Sequence, residues 1–242
     1  MPKARQFIFP IEIFDLSNPY HKWVFSLAHA ANDAQLFSHL FMMHNQLYEG
    51  PIQLLEAEKR TLFYHAIAHT YELLELLFYP HQEIGPCVKK HLEAVCQSEK
   101  GVNITEIKKN VRKSWDGGYR EEFKKIRNLL VAYYARSEAK NEYWGILQAT
   151  IAETEGNQQK GISIITGEEI NDNRYRHIFV DMLQDYYIGN IFGTPFWGKD
   201  GKAQSIAEFL DRVTGLLNYL LVPLILRLMS PEQQSQIEEM VI

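Results

Sequence analysis

Two short stretches of this 242-residue chain carry side chains whose spacing could do chemistry. The first is His65-Ala-Ile-Ala-His69-Thr-Tyr-Glu72. On a helix, residues four and seven apart share one face, so two imidazoles and a carboxylate would line up there as metal ligands. His39 and His44 lie on the preceding segment and could add a fourth nitrogen if the two helices pack antiparallel. Such a site would suit a divalent metal such as zinc, iron or manganese. It lacks both the Glu-x-x-His repeat of di-iron bundles and the His-Glu-x-x-His of zinc proteases. The second stretch runs from Tyr119 to Arg136 and includes Lys124, Lys125, Arg127, Asn128, Tyr133 and Tyr134. Phe123, Ile126, Leu130 and Ala132 or Tyr133 recur there at helical spacing. The guanidinium of Arg127 offers a planar fork of donors that fits phosphate oxygens, and Lys124 and Lys125 add charge for nucleic acid.

The second stretch resembles the signature of the HEPN family of helical nucleases and nucleotide-binding domains. In that signature an Arg, often followed by Asn, precedes a short apolar spacer and a His on one helix. Arg127 and Asn128 match, and Tyr133 stands where the family has histidine. The resemblance implies a dimeric, metal-independent endoribonuclease in a defence or toxin–antitoxin setting. There Arg127 would steady the scissile phosphate while the residue at position 133 moves protons. Tyrosine serves poorly in that role. Its reference pKa is about 10 against about 6.5 for histidine, a gap worth about 5 kcal/mol for deprotonation. Six residues of helix also turn through about 240° net, so Arg127 and Tyr133 are not aligned on one straight helix. The motif is therefore degenerate, and the reading is RNA or nucleotide binding with weak cleavage or none. Two alternatives stand beside it: the metal-binding face of His65, His69 and Glu72, and an interaction scaffold with no catalytic site.

Charge is distributed in a way that bears on these readings. Residues 100–140 hold 11 lysines and arginines against 5 acids, a local +6 that leaves −11 for the rest of a chain whose net charge is −5. The basic excess surrounds the Arg127 stretch, where an RNA-facing surface would be needed, although charge runs are commonly just solvated helix faces. Late in the chain, Tyr175, Tyr186, Tyr187, Phe192, Phe196 and Trp197 cluster near Arg174, Arg176 and His177. Aromatics beside arginine can stack bases, but they more often fill cores. No Walker-type loop, nucleophile elbow or dinucleotide fingerprint occurs. Cys87 and Cys96 form no paired motif, and two unpaired thiols suit a reducing cytoplasm.

The elements that must position these residues are mostly helical. Asn18-Pro19 gives a cap and a first-turn proline for a helix over about 19–48, ended by Gly50-Pro51. Further helices are expected over about 54–78 and 85–98. Asn103 and Glu106 form a capping box for a basic helix reaching about Trp115. Gly117-Gly118 reads as a break before the Arg127 helix. Helical patterns follow over about 138–154, from Asn171 or Asp172 to about 191, and over about 203–229, with a short restart at Ser230-Pro231-Glu232. Residues 7–14 are extended in character, and Pro10 confines them to an arm or edge strand. Residues 161–170 are the strand or hairpin candidate. The N-terminus makes a poor signal peptide. The apolar run from Leu216 to Met229 is too short for a bilayer, which needs about 20 residues. The expected architecture is a predominantly all-α antiparallel bundle: one domain over 1–242 with residues 1–18 as an arm, forming a homodimer without membrane contact.

Overall fold

A computed structural model describes residues 5–8, 15, 17–47, 52–98, 103–134, 188–189, 191–192, 196–197, 201–234 and 238–241. The fold is predominantly all-α. Its long helices are α1 (Pro19–Leu47), α2 (Ile52–Phe78), α3 (Gly85–Ser98), α4 (Ile104–Ser114), α5 (Arg120–Tyr134) and α6 (Lys202–Leu226). A short α7 (Pro231–Gln234) precedes strand β2 (Glu238–Val241), which pairs antiparallel with β1 (Arg5–Ile8). The expected helix at about 138–154 and the strand candidate at 161–170 lie outside the described residues, as does nearly all of the helix expected to reach 191.

Local chemistry explains where the helices begin. The Asn18 side chain accepts the Tyr20 N–H at 2.9 Å, and Pro19 occupies the first helical position, where its missing N–H costs nothing. At α4 the Glu106 N–H reaches Asn103 Oδ1 at 3.0 Å, while the Asn103 amide donates to Glu106 Oε2 at 3.1 Å. At α7 the capping is reciprocal: the Ser230 N–H donates to Gln233 Oε1 at 2.9 Å, and the Gln233 N–H donates to Ser230 Oγ at 3.3 Å.

The glycine pair breaks the regular helix, as expected: α4 and α5 meet at a kink where Gly118 has non-helical backbone angles. Trp115–Tyr119 form one π-helical turn that carries α4 into α5, closed by the Arg120 N–H bonding the Trp115 carbonyl. The turn needs a residue with φ of 150° at Gly118, a conformation that side chains with a Cβ rarely adopt. A Cβ there would meet nothing within 4 Å, so the requirement is one of backbone conformation rather than space.

The chain gathers into two compact units, each assembled from separated stretches. The first comprises residues 1–32, 72–113 and 212–242. Its core takes Trp23, Val24 and Leu27 from α1, Leu73, Leu74 and Leu77 from α2, and Val88, Leu92 and Val95 from α3. The Trp23 indole N–H donates to the Leu76 carbonyl at 2.8 Å, which fixes the start of α1 against the end of α2. The strand pair also belongs to this unit, with Arg5 opposite Val241 and Ile8 opposite Glu238. Only residues 7 and 8 of the extended stretch expected over 7–14 fall in this strand, whose partner comes from residues 238–241, and residues 9–14 lie outside the described residues.

The second unit comprises residues 33–71 and 114–211. Here Phe37 meets His65 and His69, and Phe41 meets Phe63, so α1 and α2 run antiparallel. Trp115, Phe123 and Phe209 form an aromatic core, all fully buried.

The apolar segment expected at Leu216–Met229 is part of a longer element. Helix α6 has 25 residues and, by length and composition, is apolar enough to cross a membrane, with a mean hydropathy of 1.5 in its most apolar window. Its buried side chains recur at helical spacing, at 206, 209, 210, 213, 216, 217, 220 and 224, while Asp211, Arg212 and Asn218 are exposed. That two-sided pattern is the one an amphipathic helix shows when one face packs on a core.

Candidate functional site

Helix α5 is positioned by the π-turn and by its own buried face. Phe123 and Ile126 are fully buried, which turns Lys124 and Lys125 outward. Arg127 follows Ile126 by one residue, about 100° around the helix, and is half-buried at the margin of the core face. Its Nη1 donates to the Asn128 side-chain carbonyl at 3.3 Å, so the two residues that match the HEPN signature are joined by a hydrogen bond. Tyr133 lies on α5, but its side chain is outside the described residues.

The start of α5 is anchored within the same unit. Lys202 Nζ stands 3.9 Å from Glu122 Oε1 and 5.3 Å from the centre of the Tyr119 ring. The Tyr119 hydroxyl donates to the Ser205 carbonyl at 3.3 Å. Burial raises the Glu122 carboxyl above the usual glutamate range, against the opposing pull of Lys202 and then Lys125.

The histidine face is built differently from a metal site. The Phe37 ring stacks on both imidazoles, 5.1 Å from His65 and 4.9 Å from His69 between ring centres. The two imidazole centres are 6.3 Å apart, and His69 Nδ1 is 3.7 Å from Asp33 Oδ2. Among the described residues, no group of three His, Cys, Asp or Glu side chains could hold a metal ion. In the expected ligand face of His65, His69 and Glu72 the spacing is helical, and an aromatic ring packs across the two imidazoles. His39 is exposed on α1, and the His44 side chain lies outside the described residues.

Burial, followed by the proximity of His69, pushes the His65 pKa below the ordinary histidine value. In the first unit His91 stacks on Tyr20 at 4.1 Å between ring centres, and its Nδ1 accepts the Arg227 Nε–H at 3.4 Å. Burial, then Arg227 and Lys90, lower the His91 pKa too. Both histidines therefore bind protons more weakly folded than unfolded. Their contribution to stability is full above the unfolded value of about 6.5 and is lost as pH falls through the folded values. Urea unfolding between pH 8 and pH 5 should show the midpoint falling toward acid, with a flatter profile in His65→Phe/His91→Phe. An unchanged profile in that variant would remove these two histidines as the cause.

Where the late aromatic cluster is described, Phe196 is buried and Phe192 and Trp197 are half-buried. Trp197 donates its indole N–H to the Tyr64 hydroxyl at 3.0 Å, and the Arg60 guanidinium lies 5.6 Å from the Trp197 ring. Tyr175, Tyr186, Tyr187, Arg174, Arg176 and His177 lie outside the described residues.

One feature was not among the sequence candidates. In the first unit, α3, α4 and the end of α2 enclose an open groove of about 640 Å³. Thr105, Lys108, Lys109 and Arg112 line one wall, and Lys89 and Glu93 stand on the other. Leu77, Phe78, Tyr79 and Pro80 complete it, with Val88 and Leu92 beneath. The signal was present as the i, i+3, i+4, i+7 spacing of 105, 108, 109 and 112, on which the local basic excess falls.

Comparisons with protein-family models, with curated proteins and with solved structures find no match to this chain.

Proposed function

We propose that this all-α protein binds RNA or a nucleotide through the basic face of α5, as a HEPN-like protein whose cleavage chemistry is weakened. The observation that carries the reading is the hydrogen bond from Arg127 to Asn128 on a helix that turns Lys124 and Lys125 to solvent. The bond restrains the guanidinium, and an ordered fork of donors loses less freedom when it meets phosphate. Tyrosine at position 133 gives a proton donor and rarely an acceptor at neutral pH, so binding outlasts catalysis. Homodimer formation belongs to the same proposal, because the family's sites pair across a dimer.

Fluorescence anisotropy with a labelled 12-nucleotide single-stranded RNA tests this directly. Three phosphate contacts from Lys124, Lys125 and Arg127 would give a log–log salt slope of about −2, and Arg127→Ala should reduce it by about 0.7. Tyr133→His should raise cleavage by restoring a group that titrates near neutrality. No binding at low salt would refute the proposal. So would unaltered affinity in Lys124→Glu/Lys125→Glu. A large loss of stability in Arg127→Ala with unchanged binding would show that the arginine is structural.

A further inference from the structure

The groove between α3 and α4 lies in the first unit and is distinct from the α5 face. We propose that it docks an acidic amphipathic helix of a partner protein. Carboxylates of that helix would meet Lys108, Lys109 and Arg112, and an apolar side chain would lie against Phe78 and Tyr79.

Charge is the first reason. Four cations line the groove against one acid, and Glu93 is already offset by Lys89 at 4.0 Å. A ligand bearing negative charge is favoured in approach and in register. Dimensions are the second. The walls Gly85–Glu93 and Thr105–Arg112 each span about two helical turns, roughly 11 Å. Lys108 and Arg112 are one turn apart, about 6 Å along α4, which matches carboxylates placed at i and i+4 on a docking helix.

The apolar wall is the third reason, and it separates a peptide from a nucleic acid. Tyr79 is 36% exposed, a large aromatic surface left at the rim. The Arg112 guanidinium lies 5.8 Å from the Phe78 ring centre and 5.7 Å from that of Tyr79. It thus already stacks on the two rings that a base would use as a platform. An aliphatic anchor needs no bare ring face: the exposed rim of Tyr79 with Leu77 and Pro80 beside it is enough.

The test is anisotropy with a fluorescein-labelled, end-capped helical peptide that carries Glu at i, i+4 and i+7 around a Leu on the same face. A peptide with every Glu replaced by Gln and a 12-nucleotide oligouridine serve as comparisons. The acidic peptide should bind at least about tenfold more tightly than its Gln counterpart, a difference of about 1.4 kcal/mol. Lys108→Glu/Lys109→Glu should weaken it by at least tenfold and flatten its salt dependence, with the thermal midpoint unchanged. Tyr79→Ala should weaken it several-fold at every salt concentration. Absent or equal binding of the two peptides overturns the proposal, as does unaltered affinity in the charge-reversed variant. If oligouridine competes the peptide off and its own binding is lost in Lys108→Glu/Lys109→Glu, the groove takes nucleic acid instead. That outcome is separate from the α5 proposal, whose loss follows Lys124 and Lys125.

Discussion

Trp115→Ala should lose about 3–5 kcal/mol of folding stability, whereas Trp115→Phe should lose less than about 1.5 kcal/mol. Trp115 is fully buried and occupies the first position of the π-turn. Its ring lies parallel to Phe209 at 6.4 Å, edge-on to Phe123 at 5.6 Å and tilted against Tyr71 at 5.8 Å between centres. Removing it empties the largest fully buried side chain among the described residues. Its indole N–H has no hydrogen-bond partner among the described residues. A buried donor without a partner is a standing cost, so phenylalanine gives back part of what it loses in contact area. Urea denaturation compares the two variants. An alanine cost below about 1 kcal/mol would show that this aromatic cluster does not hold the turn.

Gly201→Ala should destabilise the second unit by about 1–3 kcal/mol. A Cβ at Gly201 would lie 2.5 Å from the Phe196 carbonyl oxygen and 2.8 Å from the Trp197 carbonyl carbon. Both obstacles are backbone, so no side-chain rotation relieves them. The strain falls on the bond from the Ala203 N–H to the Phe196 carbonyl, 2.9 Å long, at the entry to α6. It also falls on the placement of Trp197 against Tyr64. Each kcal/mol lost should lower the thermal midpoint by about 2–4 °C for a chain of this length. A midpoint unchanged in Gly201→Ala would mean that the segment Phe196–Gly201 yields without cost.

Helix ends were legible in the sequence because they are written in local chemistry. Asn18-Pro19 and Asn103 with Glu106 cap the helices they were expected to cap, and α1 to α3 run within two residues of the expected bounds. The glycine pair was legible as a departure from regular helix. That Trp115, beside the kink, packs against Phe123 and Phe209 is something no local pattern reports. The same limit applies to the sites. Spacing put His65 and His69 on one face, but the ring that lies across them, Phe37, comes from another helix. The cations of α4 were visible as a charge excess, while the groove they line needs α3 and the end of α2 opposite them. Strand β2 was not expected at all, since Glu238-Glu-Met-Val241 is short and half acidic, and its pairing with β1 is a contact across almost the whole sequence.

That pairing has a kinetic side. Zipping Arg5 to Val241 in an otherwise disordered chain would cost about 5 kcal/mol in loop-closure entropy. A two-stranded ribbon four residues long gives little in return and is marginal by itself. It can therefore form only once the helices have shortened the path between its two halves, which places it among the last contacts to appear and the first to open. Joining the two strands covalently would remove that closing step, and a new break in an exposed connection between helices would be the natural place to reopen the chain.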